Sequence, residues 1–297
     1  MSTDVSTKAS FRRNVIAGTA TLALLLASVS LSAIAGKVPP GFTENFAEVN
    51  GVRLHYFIGG KGSPFVLLHG YAQTSHMWSP LMPLLAKEHT VIVPDLRGAG
   101  GSAKPESGYD KKNMAVDIHD MVKSLGFKRT SVVGHDIGLM VTYAYVAQFP
   151  QETERLVLME AFLPGIGDWK NVWLMRDLWH FHFYGEVPLV LVKGRERTYF
   201  EHFWNDFAAD PKHSVTEADR KLYAKAYAQP GGCALDLSIS KTSSATRRIS
   251  PRSARRRSRC RCWCSAVRNL VANFSLPRPS WLRRTCREKL FPVRDIG

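Results

Sequence analysis

The sequence predicts an α/β fold with a mostly parallel sheet and helices on both of its faces. Continuous apolar runs at residues 64–68 and 91–94 are typical of strands buried on both faces. Segments with helical spacing of apolar residues separate these runs, and such alternation predicts a parallel, doubly wound sheet. A β-branched run, a sharp turn and a third apolar helix follow one another from residue 130 onwards.

The N-terminal segment has the pattern of a secretory signal peptide. Arg12 and Arg13 precede an apolar, small-residue run at 15–33, and an Ala-x-Ala site ends at Ala35. We therefore expect cleavage of residues 1–35 and a periplasmic or secreted protein. The arginine pair also permits twin-arginine export. An uncleaved membrane anchor is the alternative, because the run has about the minimum length that spans a bilayer.

Charge and cysteine are concentrated near the C-terminus. The formal net charge is +15, and residues 233–297 hold 16 of the 40 lysines and arginines against three acids. All five cysteines also lie in this segment. Basicity is therefore not a property of the part that carries the predicted sheet, and the composition changes near Gly232.

The elements predicted before Gly232 alternate in a regular order. Residues 46–58 alternate around Asn50-Gly51, which indicates a hairpin with a primed turn. The apolar patterns that follow predict strands at 64–68, 91–94, 130–133 and 155–161, and helices at 74–87, 114–125 and 139–149. Functional residues gather at the carboxyl ends of such strands. The polar residues at these ends are His69, Asp95, Asp136 and Glu160.

One polar side chain is exposed at the turn after residue 133. Gly134 and Gly138 flank His135 and Asp136 in the pattern Gly-x-nucleophile-x-Gly, where glycines let the backbone fold tightly around a strained residue. An ordinary strand-to-helix turn is the alternative interpretation. The exposed residue is Asp136 rather than Ser, and a carboxylate suits attack on tetrahedral carbon with formation of an ester.

Further motifs accompany this turn at His69-Gly70, 95–102, 156–161 and 222–230. Together they resemble the α/β-hydrolases of the epoxide hydrolase and dehalogenase branch, and are most similar to the secreted Cif-like epoxide hydrolases. The resemblance ends near Gly232. It implies an α/β-hydrolase fold with its core at 36–162 and a helical cap at 163–232, with cap helices predicted at 169–183, 195–208 and 216–228.

The resemblance also implies roles for individual residues. Asp136 would open an epoxide as the nucleophile, Glu160 would orient a catalytic histidine, and His180 in the cap would donate to the epoxide oxygen. The backbone N–H groups of Tyr71 and Ile137 are the expected oxyanion hole. No metal or organic cofactor is implied. The expected partner is a small-molecule epoxide or halogenated substrate, with no nucleic acid and no stable membrane partner after signal cleavage; a homodimer is allowed.

Residues near the nucleophile narrow the chemistry. A Ser at position 136 would indicate an esterase or lipase. Fluoroacetate dehalogenases carry arginines close behind the nucleophile, where this chain has Ile137 and Leu139-Met140. Haloalkane dehalogenases and many epoxide hydrolases have Trp at position 137. Epoxide hydrolysis is therefore favoured, and haloacid or haloalkane dehalogenation is the alternative. In the cap, His182 is a second candidate for the donor beside His180.

The C-terminal segment departs from the family pattern, which requires two more strands and a histidine that activates water. No histidine follows His213, and no apolar run resembles those strands. We therefore expect missing C-terminal strands and a tail at 233–297 that is disordered or results from a reading-frame shift. An arginine-rich nucleic-acid arm and a metal site at Cys260-x-Cys-x-Cys264 are the less favoured alternatives. The chain would then be a hydrolase impaired in turnover, or a non-catalytic remnant or binding protein.

Overall fold

The computed structural model describes residues 37–233. The predicted signal peptide, the C-terminal strands, the reading-frame shift and the cysteine cluster therefore concern residues that lie outside the described part, apart from Cys233 at its end. Within 37–233 the predicted α/β fold is confirmed, because six strands form one mixed, mostly parallel sheet in the order β1-β2-β4-β3-β5-β6. The strands are β1 (Phe42–Val49), β2 (Val52–Gly59), β3 (Ser63–Leu68), β4 (His89–Pro94), β5 (Thr130–His135) and β6 (Thr153–Met159).

The N-terminal hairpin and the parallel strands meet at β4. β1 pairs antiparallel with β2, and β2 pairs antiparallel with β4. The predicted primed turn is confirmed, because Asn50 and Gly51 have φ angles of 46° and 69°. β3 pairs in parallel with both β4 and β5, and β5 pairs in parallel with β6. The carboxyl ends of β3, β4, β5 and β6 therefore lie side by side at one edge of the sheet, where the four strands end.

Helices occupy the connections from β3 to β6, and the regular elements after β6 in the described part are all helical. The α-helices are α1 (Met82–Leu85), α2 (Lys111–Ser124), α3 (Ile137–Gln148), α4 (Trp169–Trp173), α5 (Glu186–Val192), α6 (Glu196–Asp206) and α7 (Glu217–Tyr227). Two 3₁₀ helices lie at Ser75–Trp78 and Arg176–His182. Between residues 37 and 233, no helix is long and apolar enough to cross a membrane.

Two helix predictions were wrong in detail, and one helix was missed. The single helix expected at 74–87 is a 3₁₀ turn and the four-residue α1, because Pro80 interrupts the segment between them. The helix expected at 169–183 is likewise divided, and Leu178 has non-helical backbone angles inside the second part. α5 was not predicted. Its Pro188 lies in the first turn, where a proline removes no intrahelical hydrogen bond.

Two apolar cores cover the two faces of the sheet. Val66, Ile92 and Val132 belong to the core that also contains residues of α2, α3 and the cap helices. Their sequence neighbours Leu67 and Val133 belong to the second core, with Trp78 and Met82. Successive side chains of a strand point to opposite faces, so continuous apolar runs fill both cores. The sheet edge that carries the functional residues is thus fixed from both sides.

A buried histidine links the hairpin to the end of β4. His55 is fully buried, with Nδ1 2.8 Å from Asp95 Oδ2 and Nε2 3.0 Å from Glu44 Oε1. Burial opposes protonation, but the hydrogen bond and charge of Asp95, with those of Glu44, raise the pKa of His55. Burial would raise the pKa of Asp95, but His55 holds it below its usual range. Each partner therefore favours the ionised form of the other.

The stability of the protein should depend on pH through this pair. The contribution of His55 is complete below its ordinary pKa of 6.5 and is lost as pH rises through the raised folded value. We expect the free energy of unfolding, measured in urea at pH 5.5 to 9, to fall with pH. The slope should weaken in His55→Gln and persist in His89→Gln, since His89 bonds to the Ser63 hydroxyl instead. Equal slopes in the wild type and His55→Gln would contradict this assignment.

Candidate active site

Asp136 lies at the junction of β5 and α3 in a strained conformation. Its φ and ψ are 52° and −116°, and it precedes the first residue of α3. A left-handed φ in a non-glycine residue costs about 1–3 kcal/mol and persists where surrounding structure enforces it. Here the surroundings are tight: a Cβ on Gly134 would lie 2.2 Å from the Gly138 carbonyl oxygen, and one on Gly138 would lie 2.4 Å from that of Leu68. The absence of side chains at Gly134 and Gly138 therefore lets the start of α3 pack directly against the backbones of β5 and β3.

Two backbone donors converge on the Asp136 carboxylate. The N–H of Tyr71 donates to Oδ2 at 2.9 Å, and the N–H of Ile137 also donates to this carboxylate. Tyr71 comes from the loop after β3, and Ile137 is the first residue of α3. These are the two residues whose N–H groups the sequence predicts as the oxyanion hole. Their role stays a prediction, but the structure brings both donors to one carboxylate.

Burial raises the pKa of Asp136. The charge of His135 opposes this rise most strongly, followed by the Tyr71 N–H, Lys111 and the Ile137 N–H. A nucleophilic carboxylate must be ionised. As the pH is lowered, a reaction at Asp136 should therefore be lost earlier, at a higher pH, than a reaction at an ordinary aspartate. The two backbone donors therefore both orient the carboxylate and favour its charged form.

His180 lies in the cap among aromatic rings and beside the loop that carries Tyr71. The centroid of its ring lies 5.6 Å from that of Tyr71 and 5.0 Å from that of Phe203. Its Nδ1 is buried and has no hydrogen-bond partner among residues 37–233. Burial, together with the charge of His202, lowers the pKa of His180 to about 4. His180 is therefore neutral near pH 7 and has hydrogen-bonding capacity to spare.

Glu160 and His182, the other two residues proposed from the resemblance, do not contact Asp136 through any hydrogen bond among the described residues. Glu160 directly follows β6, has a φ of 47°, is exposed, and makes no hydrogen bond or ion pair with the residues described. His182 is engaged inside the cap, since its Nε2 lies 2.8 Å from the Trp173 carbonyl oxygen. Residues 37–233 contain no group of three or more histidine, cysteine, aspartate or glutamate side chains placed to hold a metal ion.

Comparison with known proteins places this site in a family. A model described as the alpha/beta hydrolase fold matches residues 63–258. This chain belongs to the alpha/beta hydrolases. The match contains the Tyr71 loop, the Asp136 turn and the cap helices, so the predicted fold class and family resemblance are confirmed.

Relatives of this hydrolase include epoxide hydrolases and a dehalogenase. The soluble epoxide hydrolase of Corynebacterium sp. (strain C12) is 34% identical over 197 residues, which are 64% of this chain and 68% of that protein. The fluoroacetate dehalogenase of Burkholderia sp. is 35% identical over 150 residues, 48% of this chain and 49% of that protein. Among solved structures, the epoxide hydrolase CorEH without ligand has a TM-score of 0.63 at 31% identity, covering 69% of this chain and 75% of its own. By family, then, this chain is a hydrolase.

The hydrolase site also contains residues that sequence reasoning did not assign. His69 fixes the turn after β3: its Nε2 accepts from the Leu96 N–H at 3.0 Å, so its proton lies on Nδ1, 3.0 Å from the Gly70 carbonyl oxygen. Its place at a strand end was the available signal. Tyr199 of α6 places its hydroxyl oxygen 2.5 Å from that of Tyr71. No sequence motif marked Tyr199.

Proposed function

We propose that this hydrolase opens epoxides by forming an ester on Asp136. The observation that carries the proposal is the Asp136 carboxylate, presented at a strained turn and held by the N–H groups of Tyr71 and Ile137. A carboxylate in this position attacks carbon rather than an acyl group. The similarity to epoxide hydrolases over two thirds of the chain supports the choice of an epoxide as the substrate.

The first step forms one bond and breaks another. The free carboxylate oxygen of Asp136 attacks a ring carbon, and the carbon–oxygen bond of the epoxide breaks. The electron pair of that bond remains on the departing oxygen. His180 is neutral near pH 7 and donates a hydrogen bond to this oxygen. Solvent water supplies the proton that completes the new hydroxyl group.

The second step would return the enzyme to its starting state. Water attacks the carbonyl carbon of the Asp136 ester, and the developing oxyanion is held by the same two N–H groups. A base must take a proton from this water. No histidine follows His213 in the sequence, and Glu160 makes no hydrogen bond or ion pair with a histidine among the described residues. We therefore propose that the ester accumulates and that turnover is slow.

Mass spectrometry of the intact chain tests the proposal. After incubation with styrene oxide, the mass should rise by that of one epoxide, and proteolysis should place the addition on Asp136. Asp136→Asn should gain no mass, because a neutral amide is a poor nucleophile. Reaction in ¹⁸O-labelled water separates the steps: repeated turnover would introduce ¹⁸O into the Asp136 carboxylate, and a stalled ester would not. Modification of other residues at the same rate in Asp136→Asn would contradict the proposal.

A halogenated substrate is the second candidate. The similarity to a fluoroacetate dehalogenase favours it, and the same carboxylate would displace a halide from carbon. Bromoacetate in the same mass measurement should then add a carboxymethyl group to Asp136 and release bromide. If neither an epoxide nor bromoacetate modifies Asp136, a non-catalytic binding protein becomes the better interpretation.

A further inference from the structure

We infer that cap helices α6 and α7 hold the oxyanion loop in its working conformation. The oxyanion loop is defined as residues 70–76, which follow β3 and include the first two residues of the 3₁₀ helix Ser75–Trp78. It contains the Tyr71 N–H that donates to Asp136. The inference assigns Trp204 and Tyr227 as positioning residues for this donor. Its catalytic part rests on the proposed function, whereas the fastening of the loop does not.

Four hydrogen bonds from the cap reach four residues of the oxyanion loop. The hydroxyl groups of Tyr199 and Tyr71 are 2.5 Å apart, and His76 Nε2 lies 2.8 Å from Asp219 Oδ1. Between these ends the cap bonds to the backbone itself. The donors there are Trp204 Nε1 to the Ala72 carbonyl oxygen at 3.3 Å and the Tyr227 hydroxyl to the Gln73 carbonyl oxygen at 2.7 Å.

The backbone of the oxyanion loop is strained at the point that the cap contacts. Ala72 has a φ of 55°, a left-handed conformation that costs an alanine free energy relative to the right-handed region. Such a conformation persists only where the surroundings enforce it. Core contacts hold the two ends of the loop: the Gly138 N–H donates to the His69 carbonyl oxygen at 3.1 Å, and the Ser75 N–H to Asp95 Oδ1 at 2.7 Å.

The cap bonds to Ala72 and Gln73 therefore act on the middle of the loop, between the two ends that these core bonds hold. Trp204 and Tyr227 are buried, with 4% and 1% of their surface exposed, so their bonds are shielded from competing water. Ala72 directly follows Tyr71. A change in its backbone angles would move the Tyr71 N–H away from the Asp136 carboxylate. The cap thus sets the geometry of a donor that lies in the core domain.

A purely structural role for Trp204 and Tyr227 is the competing explanation, since both side chains also fill the main core. The two roles differ in what happens when only the polar atom is removed. Trp204→Phe and Tyr227→Phe keep an aromatic ring in place and delete the N–H or O–H donor. Trp169→Phe and Tyr184→Phe are matched controls, because these cap residues do not contact the oxyanion loop in the hydrogen bonds and ring contacts described.

Hydrogen–deuterium exchange of the full-length chain tests the fastening of the loop directly. Peptides covering residues 70–76 should exchange about five- to tenfold faster in Trp204→Phe and Tyr227→Phe than in the wild type, as expected from the loss of one hydrogen bond. The two controls should match the wild type. Unchanged exchange in both test variants would overturn the inference. If either variant fails to fold, the less buried His76→Gln supplies the same comparison.

Single-turnover modification of Asp136 by styrene oxide tests the catalytic part. The rate of this modification should fall about five- to tenfold in each variant, because the Asp136 carboxylate loses a donor that orients it. Hydrolysis of the ester, the step in which the oxyanion develops, should approach in the double variant the roughly 10²-fold loss of an oxyanion donor. The pH at which the modification rate falls to half on the acidic side should also rise, because a misplaced Tyr71 N–H no longer favours the charged carboxylate. His135, Lys111 and the Ile137 N–H also act on this carboxylate and are unchanged in the variants. Faster exchange with an unchanged rate and midpoint would refute the positioning role. An unreactive wild type would instead count against the proposed function, and exchange would still decide the fastening.

Discussion

Replacing Asp117 with Asn is expected to lower the free energy of unfolding by about 3–5 kcal/mol. Arg97 and Asp117 form a buried two-pronged ion pair, with distances of 2.6 Å from Nε to Oδ2 and 2.5 Å from Nη2 to Oδ1. Burial raises the pKa of Asp117 despite the hydrogen bonds from Arg97 and Asn50, so the pair is costly to bury. Removing one partner leaves the guanidinium buried without its counter-charge, and urea unfolding at pH 7 measures the loss.

Two further variants check that the loss comes from the stranded charge. Glu201→Gln breaks the half-exposed pair of Arg197 and Glu201 on α6 and should cost less than about 1 kcal/mol. Replacing both buried partners, as Arg97→Met with Asp117→Leu, should recover most of the stability, because no uncompensated charge remains. A double variant as unstable as Asp117→Asn would show that the pair itself, rather than the stranded charge, determines the effect.

Replacing Gly138 with Ala is expected to cost about 3 kcal/mol, at the upper end of the range for overpacking. The added Cβ would lie 2.4 Å from the Leu68 carbonyl oxygen and 2.7 Å from that of His69. These are backbone atoms of the last residue of β3 and of the residue after it, and they cannot move aside as the end of a side chain can. The start of α3 must therefore move away from β3, and it carries Ile137 and Asp136 with it. Urea unfolding measures the loss.

Gly126→Ala is the matched control for this substitution. Gly126 has a φ of 84°, but a Cβ there meets no atom within 4 Å, so only the backbone penalty of about 1–2 kcal/mol applies. Gly138 has no such backbone penalty, and its cost arises from the clash alone. In Gly138→Ala, modification of Asp136 by an epoxide should also slow. An equal loss of stability in the two variants would contradict the clash as the cause.

The parts of the site that were predictable are those encoded by neighbouring residues. Gly134, Asp136 and Gly138 lie within five positions, and the apolar run before them predicts a strand that must end at the turn. The hairpin at Asn50 and the strand-end positions were predictable for the same reason. Local sequence fails where proline divides a segment with helical spacing, as at 74–87, since periodicity gives the apolar face but not the interruption.

The contacts between the cap and the oxyanion loop could not be predicted from the sequence. Tyr199, Trp204 and Tyr227 lie 128, 132 and 154 positions from the loop residues that they contact. Helical periodicity indicates which side of α6 or α7 is apolar, but it does not specify the loop against which that side packs. The roles of Glu160 and His180 rest on family resemblance alone, and no pattern within the chain would have assigned them.

The position of β3 between β4 and β5 has a consequence for how the chain is made. β1 and β2 join neighbouring residues and can pair as soon as residue 59 is available, whereas Phe65 of β3 pairs with Ser131 of β5. Loop closure over such a separation is costly, and non-local pairing is slow. At about 5–20 residues per second, a ribosome needs roughly 3–13 s to synthesise the chain between these partners. The apolar strand β3 therefore remains without one of its two neighbours during this time. The turn that carries Asp136 can form only after β5 has been synthesised.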